Sequence, residues 1–252
     1  LACLTLKNNS GMERMMEVCS YLEPALASQC DDAAHPAFQN LFLRTGRLGK
    51  YGVAAMRRPR GPSEEDRRLW HLMATDASLT LLRVQTDRAA FLGRGRTVYA
   101  PRALEMPISA IADTLGDVIE PCLSLRGQFV LPPGGRLQFV FATLLPGESD
   151  APGAFLERYG QVDSALRAYG PALTRGLVTA RYLGLSAGML DGIFRLVGPL
   201  CYTGQPAQLR YAAENSLPLS ALWSMGISGD LPILLLECRE GKDLSLVQLL
   251  LR

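Results

Sequence analysis

The residues best suited to chemistry lie in one short run near the C-terminal end of the sequence, residues 222–233. Trp223 is followed by Ser228, Gly229 and Asp230, and then by an apolar stretch. An indole ring stacks on the apolar face of a sugar, while a hydroxyl and a carboxylate bind its hydroxyl groups. A glycine lets a ligand approach the backbone closely. The run predicts a carbohydrate-binding turn; the alternative is a tight structural turn with Trp223 in the core.

A second run, residues 85–97, alternates glycine with arginine. Arg94 and Arg96 are interleaved with Gly93 and Gly95, and guanidinium groups bind anions such as phosphate. The run lacks the G-x-G-x-x-G spacing and a surrounding strand–helix unit, which argues against a dinucleotide site. The alternative is an exposed loop fixed by pairing between Asp87 and an arginine.

The remaining reactive residue types do not form a recognisable constellation. The two histidines and six cysteines are scattered without a C-x-x-C pair, so we predict no metal site. The cysteines are expected to be small buried side chains in a reducing cytoplasm. His35 precedes a proline and is either an acid, base or ligand, or a structural hydrogen bonder. No hydrolase, P-loop or metalloprotease motif occurs, and nothing nominates a second carboxylate to act with Asp230. No catalytic residue is therefore assigned.

Charge and hydropathy exclude two classes of partner. A formal net charge of +2 over 252 residues gives no electrostatic basis for binding nucleic acid. No stretch approaches the roughly 20 apolar residues needed to cross a bilayer. We therefore expect neither nucleic-acid binding nor membrane contact from this segment.

The elements before residue 145 are predicted to be mostly strands. Two hairpins are expected around the turns Asn8–Gly11 and Pro132–Gly135, because both turns are rich in residues that suit positive φ or break helices. The predicted strands are 1–7 with 14–22, 38–44 with 51–57, 69–75, 79–86, and 123–131 with 136–144. Many antiparallel strands without intervening helices indicate a β-sandwich.

The pattern changes near residue 150. Helices are predicted at 154–159, 162–183 and 187–200, with a break at Pro171, followed by a loop at 203–221, a strand at 231–238 and a helix at 243–252. The strand-like run at residue 1 and the apolar helix reaching residue 252 lead us to expect an excerpt of a longer polypeptide. The fold class is therefore mixed β and α.

Four segments, in order, resemble one known family. Residues 35–38, 86–96, 123–126 and 222–233 are similar to the phosphorylase-like, glycoside hydrolase family 94 region of cyclic β-1,2-glucan synthases and, equally, of 1,2-β-oligoglucan phosphorylases. The resemblance implies the later part of an antiparallel β-sandwich over residues 1–148, a helical linker over 149–202, and the truncated entrance to an (α/α)6 barrel over 203–252.

The resemblance also implies a reaction. Such enzymes are glycosyltransferases or glycoside phosphorylases that cleave β-glucosidic bonds with inversion, using inorganic phosphate as co-substrate and no cofactor. The family's general acid and most phosphate ligands lie beyond the matched segments, so the piece alone is expected to be inactive.

The resemblance places the binding residues and partners as well. Trp223, Ser228, Gly229 and Asp230 would hold a β-glucan oligosaccharide at the barrel mouth. Arg94 and Arg96 are weaker candidates, on a sandwich loop reaching the barrel or a second subunit of a homodimer. The location implied is cytoplasmic, with a parent protein anchored in the inner membrane if it is a synthase. The competing hypothesis is a non-catalytic carbohydrate-binding or dimerisation β-sandwich module.

Overall fold

The structure, a computed structural model, describes residues 1–62, 64–201, 216–231 and 233. The chain divides into two compact units, Leu1–Pro171 and Ala172–Arg252. The first unit contains the strands that were predicted to form the sandwich. The second contains residues 172–182 at the end of one long helix, the helix Ala187–Cys201 and the Trp223–Asp230 turn.

Antiparallel strands dominate the first unit, as the alternating apolar pattern predicts. They are β1 (Ala2–Lys7), β2 (Arg14–Cys19), β3 (Leu43–Arg47), β4 (Gly52–Arg57), β5 (Arg68–Thr75), β6 (Leu79–Asp87), β7 (Gly116–Asp117), β8 (Pro121–Leu131) and β9 (Arg136–Leu144). One sheet has the order β1-β9-β5-β4-β3-β7, and the other has the order β2-β8-β6. The mixed β and α composition and the antiparallel sheets are confirmed.

The two predicted hairpins are wrong, although their strands are correct. β1 pairs with β9 and β2 pairs with β8, so each of the two turns carries the chain from one sheet to the other. The turns also bind each other, because the buried Asn8 donates from its backbone to Gly135 and from its side chain to Leu131. Turn residues predict where a strand ends but not which sheet the next strand joins. Only β3 and β4 form a hairpin as predicted.

Short helices interrupt the sheets where none was predicted. They are α1 (Gln29–Ala34), α2 (Pro36–Asn40), α3 (Arg88–Leu92) and α4 (Arg102–Glu105), with a 3₁₀ helix at Ile108–Ala110. α2 replaces the first half of the strand expected at 38–44, because Pro36 occupies its first turn, where a missing N–H costs nothing. Ser28 caps α1 by accepting a hydrogen bond from the Asp31 backbone N–H at 3.1 Å.

The longer helices follow β9 as predicted. They are α5 (Pro152–Tyr159), α6 (Val162–Tyr182) and α7 (Ala187–Cys201). α6 continues through Pro171 instead of ending there. None of the described helices combines the length and hydropathy needed to cross a bilayer. The predicted strand at 231–238, apart from Leu231 and Ile233, and the predicted helix at 243–252 fall outside the described residues. The barrel entrance and the domain boundaries at 148 and 202 remain predictions.

β5 is buried on both of its faces, which explains its nearly continuous hydrophobic sequence. Met73 packs between the sheets with Val84 and Phe129. Trp70, on the opposite face, packs with Phe155 of α5. A third cluster covers the outer side of β8, where Cys122 meets residues of α3 and α4.

A buried histidine joins the two sheets. His71 of β5 is 3% exposed. Its Nδ1 is 2.9 Å from the Thr143 hydroxyl, and its Nε2 is 2.9 Å from the hydroxyl of Ser20, next to β2. Burial lowers the pKa of His71 to about 4. The imidazole is therefore neutral at physiological pH and acts as a structural hydrogen bonder.

Candidate functional site

The predicted sugar-binding residues form one turn at residues 219–230, which we call the turn. A 3₁₀ helix at Leu219–Met225 ends at Gly226 in the left-handed conformation, with φ 73°. The Ile227 N–H then bonds the Leu222 carbonyl at 3.2 Å, which closes the helix end. Because these bonds are local, the sequence of this segment determines the direction in which the chain leaves the helix.

Trp223 is exposed and its ring is held in place. Its Nε1 donates to the Ser228 carbonyl at 3.2 Å, while 65% of the residue remains accessible to solvent. The alternative of a core tryptophan is therefore wrong. Gly229, at φ 78°, allows the chain to pass Leu219, because an added Cβ would lie 2.7 Å from the Leu219 Cδ1 atom. The Asp230 N–H makes a long contact of 3.5 Å with the Ser228 hydroxyl.

An open depression of about 410 Å³ results, lined by Trp223, Gly226, Ile227, Ser228 and Asp230. It combines an indole face with a hydroxyl and a carboxylate, the groups that bind the faces and hydroxyls of a sugar. Asp230 is the one carboxylate among the described residues lining it. The depression is thus equipped to bind a sugar, whereas a pair of opposed carboxylates for acid–base cleavage is absent from that lining.

Arg94 and Arg96 belong to the first unit, on a separate exposed loop formed by residues 93–106, which we call the lobe. Arg96 pairs with Glu105, which lowers the pKa of that carboxyl and raises the pKa of the arginine. Arg94 is exposed and has no ion pair among the described residues. Tyr99 is 95% exposed between the two ends of the lobe. An anion could therefore bind Arg94 without displacing a carboxylate of the described residues, but it would compete with Glu105 for Arg96.

A buried arginine beneath the lobe was missed by sequence reasoning. Arg126 of β8 is 3% exposed, and its Nε donates to Glu17 at 2.7 Å. Its terminal nitrogens bond the carbonyls of Ala103 and Met106 in the lobe. The buried charge is tolerated here because one carboxylate and two backbone carbonyls accept hydrogen bonds from the guanidinium group. The signal that could have found it is a single charged residue, Arg126, inside an otherwise uncharged strand.

The other sequence candidates have structural roles. Asp87 caps α3 by accepting from the Ala90 N–H at 3.2 Å instead of pairing with an arginine. His35 is exposed and joins α1 to α2 through its backbone.

The cysteine prediction holds for one residue and fails for two. Cys122 is buried, which raises its pKa to about 12, whereas Cys3 and Cys30 are exposed. Across the parts of the chain that the structure describes, no group of three or more His, Cys, Asp or Glu side chains is placed to hold a metal.

Two comparisons with known proteins identify the same family. The family profile described as "Glycosyl hydrolase 94, supersandwich domain" matches residues 1–162, which cover the strands and α5. A cyclic beta-(1,2)-glucan synthase, NdvB of Rhizobium meliloti (strain 1021), is 31% identical over 254 residues. The match covers 98% of this chain and 9% of the length of that relative. The chain belongs to the glycosyl hydrolase 94 supersandwich family and is related to the corresponding region of cyclic β-glucan synthase.

Proposed function

We propose that this chain is a substrate-binding segment of a carbohydrate-active enzyme that acts on β-1,2-glucans with inorganic phosphate. The proposal rests on the turn, where an exposed, fixed tryptophan lies beside Ser228 and Asp230 in one depression. The 31% identity to a protein named as a cyclic beta-(1,2)-glucan synthase supports the choice of glucan.

In the proposed reaction a phosphate oxygen attacks the anomeric carbon as the glucosidic C–O bond breaks. A carboxylic acid must protonate the departing oxygen, so that glucose 1-phosphate and a shortened glucan leave. The lining of the turn offers one carboxylate, Asp230, while the resemblance to the family implies a general acid beyond the matched segments. We therefore assign Asp230 to sugar binding, and we place the proton donor in the remainder of the enzyme.

The lobe is the proposed contact for phosphate and for a second subunit. Arg94 is free to bind an anion, and Arg96 is a weaker contributor because it already pairs with Glu105. A cytoplasmic location and a homodimer complete the proposal. The absence of membrane-spanning helices among the described residues is compatible with this segment lying outside a bilayer.

Binding and turnover test the proposal separately. Titration of the 252-residue chain with β-1,2-linked gluco-oligosaccharides, followed by NMR, should shift the Trp223 indole signal. Asp230→Asn should weaken this binding about tenfold, because a charge-assisted hydrogen bond is lost. The matched control is Asp191→Asn, an exposed carboxylate on α7.

The same chain, incubated with oligosaccharide and phosphate, should release no glucose 1-phosphate. Release by the 252-residue chain would contradict the assignment of the acid to another part of the enzyme. Failure of the Trp223 signal to respond would contradict the assignment of the turn.

A further inference from the structure

The first unit contains a groove that the proposed function does not use. Two cavities of about 640 and 650 Å³ share Leu26, Glu65 and Arg67 in their linings, so they are adjacent. We call the two together the groove. Its walls come from the loop before α1, the connection between β4 and β5, and the loop after β9.

Charges of both signs line the groove. Six carboxylates and four arginines occur in the two linings together. Several of these charges are already paired, as Glu65 is with Arg67 at 3.1 Å and as Asp66 is with Arg68. The excess of carboxylates disfavours an anionic ligand. The internal pairing disfavours a cationic peptide, which would have to displace arginines of the groove itself.

Hydrogen-bonding capacity nevertheless remains on these side chains. Glu65 receives Arg67 on one oxygen and leaves the other free, and Asp150 likewise uses one oxygen to accept the Gly147 N–H at 2.8 Å. Glu148 makes no hydrogen bond or ion pair with any described residue. Arg67 uses its Nε toward Glu65, so its terminal nitrogens remain available as donors.

An ion pair between a buried arginine and a partly exposed glutamate supports one wall of the groove. Arg57 is 2% exposed and donates to Glu64 and to the Gln39 side chain at 2.8 and 2.9 Å. The backbone N–H of Arg60, and then Arg57, lower the pKa of Glu64 to about 2. A preformed wall reduces the ordering cost when a ligand binds.

We propose that the groove is a second binding site for a neutral gluco-oligosaccharide, distinct from the turn. The carboxylate acceptors and guanidinium donors of the lining can bind the hydroxyl groups of a sugar chain. Leu145, which is 66% exposed, supplies apolar surface for the sugar C–H faces, whereas Trp70 and Leu26 are each 3% exposed and belong to the core beneath the lining. The identity of the sugar rests on the proposed function, whereas the existence of the site rests on the groove.

The tryptophans provide one reporter for each site. The sequence contains two, Trp70 in the lining of the groove and Trp223 in the lining of the turn. During titration of the 252-residue chain with β-1,2-linked gluco-oligosaccharides, both indole N–H signals should shift. Glu148→Ala should raise the Kd reported by Trp70 about tenfold, because a charge-assisted hydrogen bond is lost. The Kd reported by Trp223 should not change.

Glu157→Ala is the matched control, since this exposed carboxylate of α5 lies outside the groove. Glu148 is exposed and unbonded among the described residues, so its removal leaves the fold intact. If the Trp70 signal does not shift while the Trp223 signal saturates, the proposed binding at the groove is contradicted and the binding at the turn is supported. A shift of the Trp70 signal alone would support binding at the groove and contradict binding at the turn. If tetra-arginine shifts Trp70 and the oligosaccharide does not, the groove is a peptide site and the proposal fails.

Discussion

The turn and the lobe are both exposed loops that contain glycines with positive φ, yet they are held in different ways. Residues of the turn bond mainly to each other, as Trp223 does to Ser228. The lobe depends on Arg126 and Glu17, which come from two strands distant in sequence. A locally bonded turn can be recognised from its sequence, whereas the lobe exists only after the strands beneath it have paired. Substitutions in the two regions should therefore have very different effects on stability.

Removing the arginine beneath the lobe should have the largest effect. Arg126→Met leaves the Ala103 and Met106 carbonyls without their donor and leaves Glu17 with the Gln128 amide alone, so we expect a loss of about 3–5 kcal/mol in the free energy of unfolding. Urea unfolding of the chain measures it. The control Arg44→Met removes an exposed ion pair with Asp117 and should change stability by no more than about 1 kcal/mol. Equal effects of the two substitutions would show that Arg126 does not hold the lobe.

Acid should weaken the sandwich through His71. The pKa of His71 is about 4 in the folded chain, against an ordinary value of 6.5, because burial disfavours the imidazolium. The unfolded chain therefore binds the proton first. The stabilisation is complete above about pH 6.5 and is lost as the pH falls toward 4, by about 3 kcal/mol in total.

Unfolding free energies measured between pH 7 and pH 4 test this, as the difference between the profiles of the wild type and His71→Gln. Superimposable profiles for the wild type and His71→Gln would refute the prediction.

A glycine substitution should disturb the turn without affecting the sandwich. Gly229→Ala forces a φ of 78° on an alanine and brings its Cβ within 2.7 Å of the Leu219 Cδ1 atom. We expect about 1–2 kcal/mol of local strain and a displaced Trp223 indole signal in NMR. Gly192→Ala on α7 is the control, because no atom lies within 4 Å of the added Cβ. Loss of the sandwich in Gly229→Ala would contradict the independence of the turn.

The smallest effect on stability is expected at Ser228. Its hydroxyl makes a contact of 3.5 Å with the Asp230 N–H, which is at the limit of a hydrogen bond. Ser228→Ala should therefore change the free energy of unfolding by less than about 0.5 kcal/mol. Oligosaccharide titration of the same variant should show weaker binding at Trp223. Unchanged binding would show that the Ser228 hydroxyl does not contact the sugar.

Strand positions followed from the sequence, but strand partners did not. The alternation of apolar residues located β8 and β9 correctly, and the Pro132–Gly135 turn between them was also correct. That turn joins two sheets instead of two neighbouring strands. Turn geometry is local, whereas pairing depends on strands more than a hundred residues away, such as β1 with β9.

The sequence by itself determined where the apolar strands lie and which glycines close the turn around Trp223. Both are set by nearest neighbours along the chain, so residue type and spacing suffice. Only the tertiary structure decided that Arg126 supports the lobe, that His71 joins the sheets and that the two cavities of the groove are adjacent. Each of these brings together residues distant in sequence, and the balance of burial and charge at such contacts exists only in the folded chain.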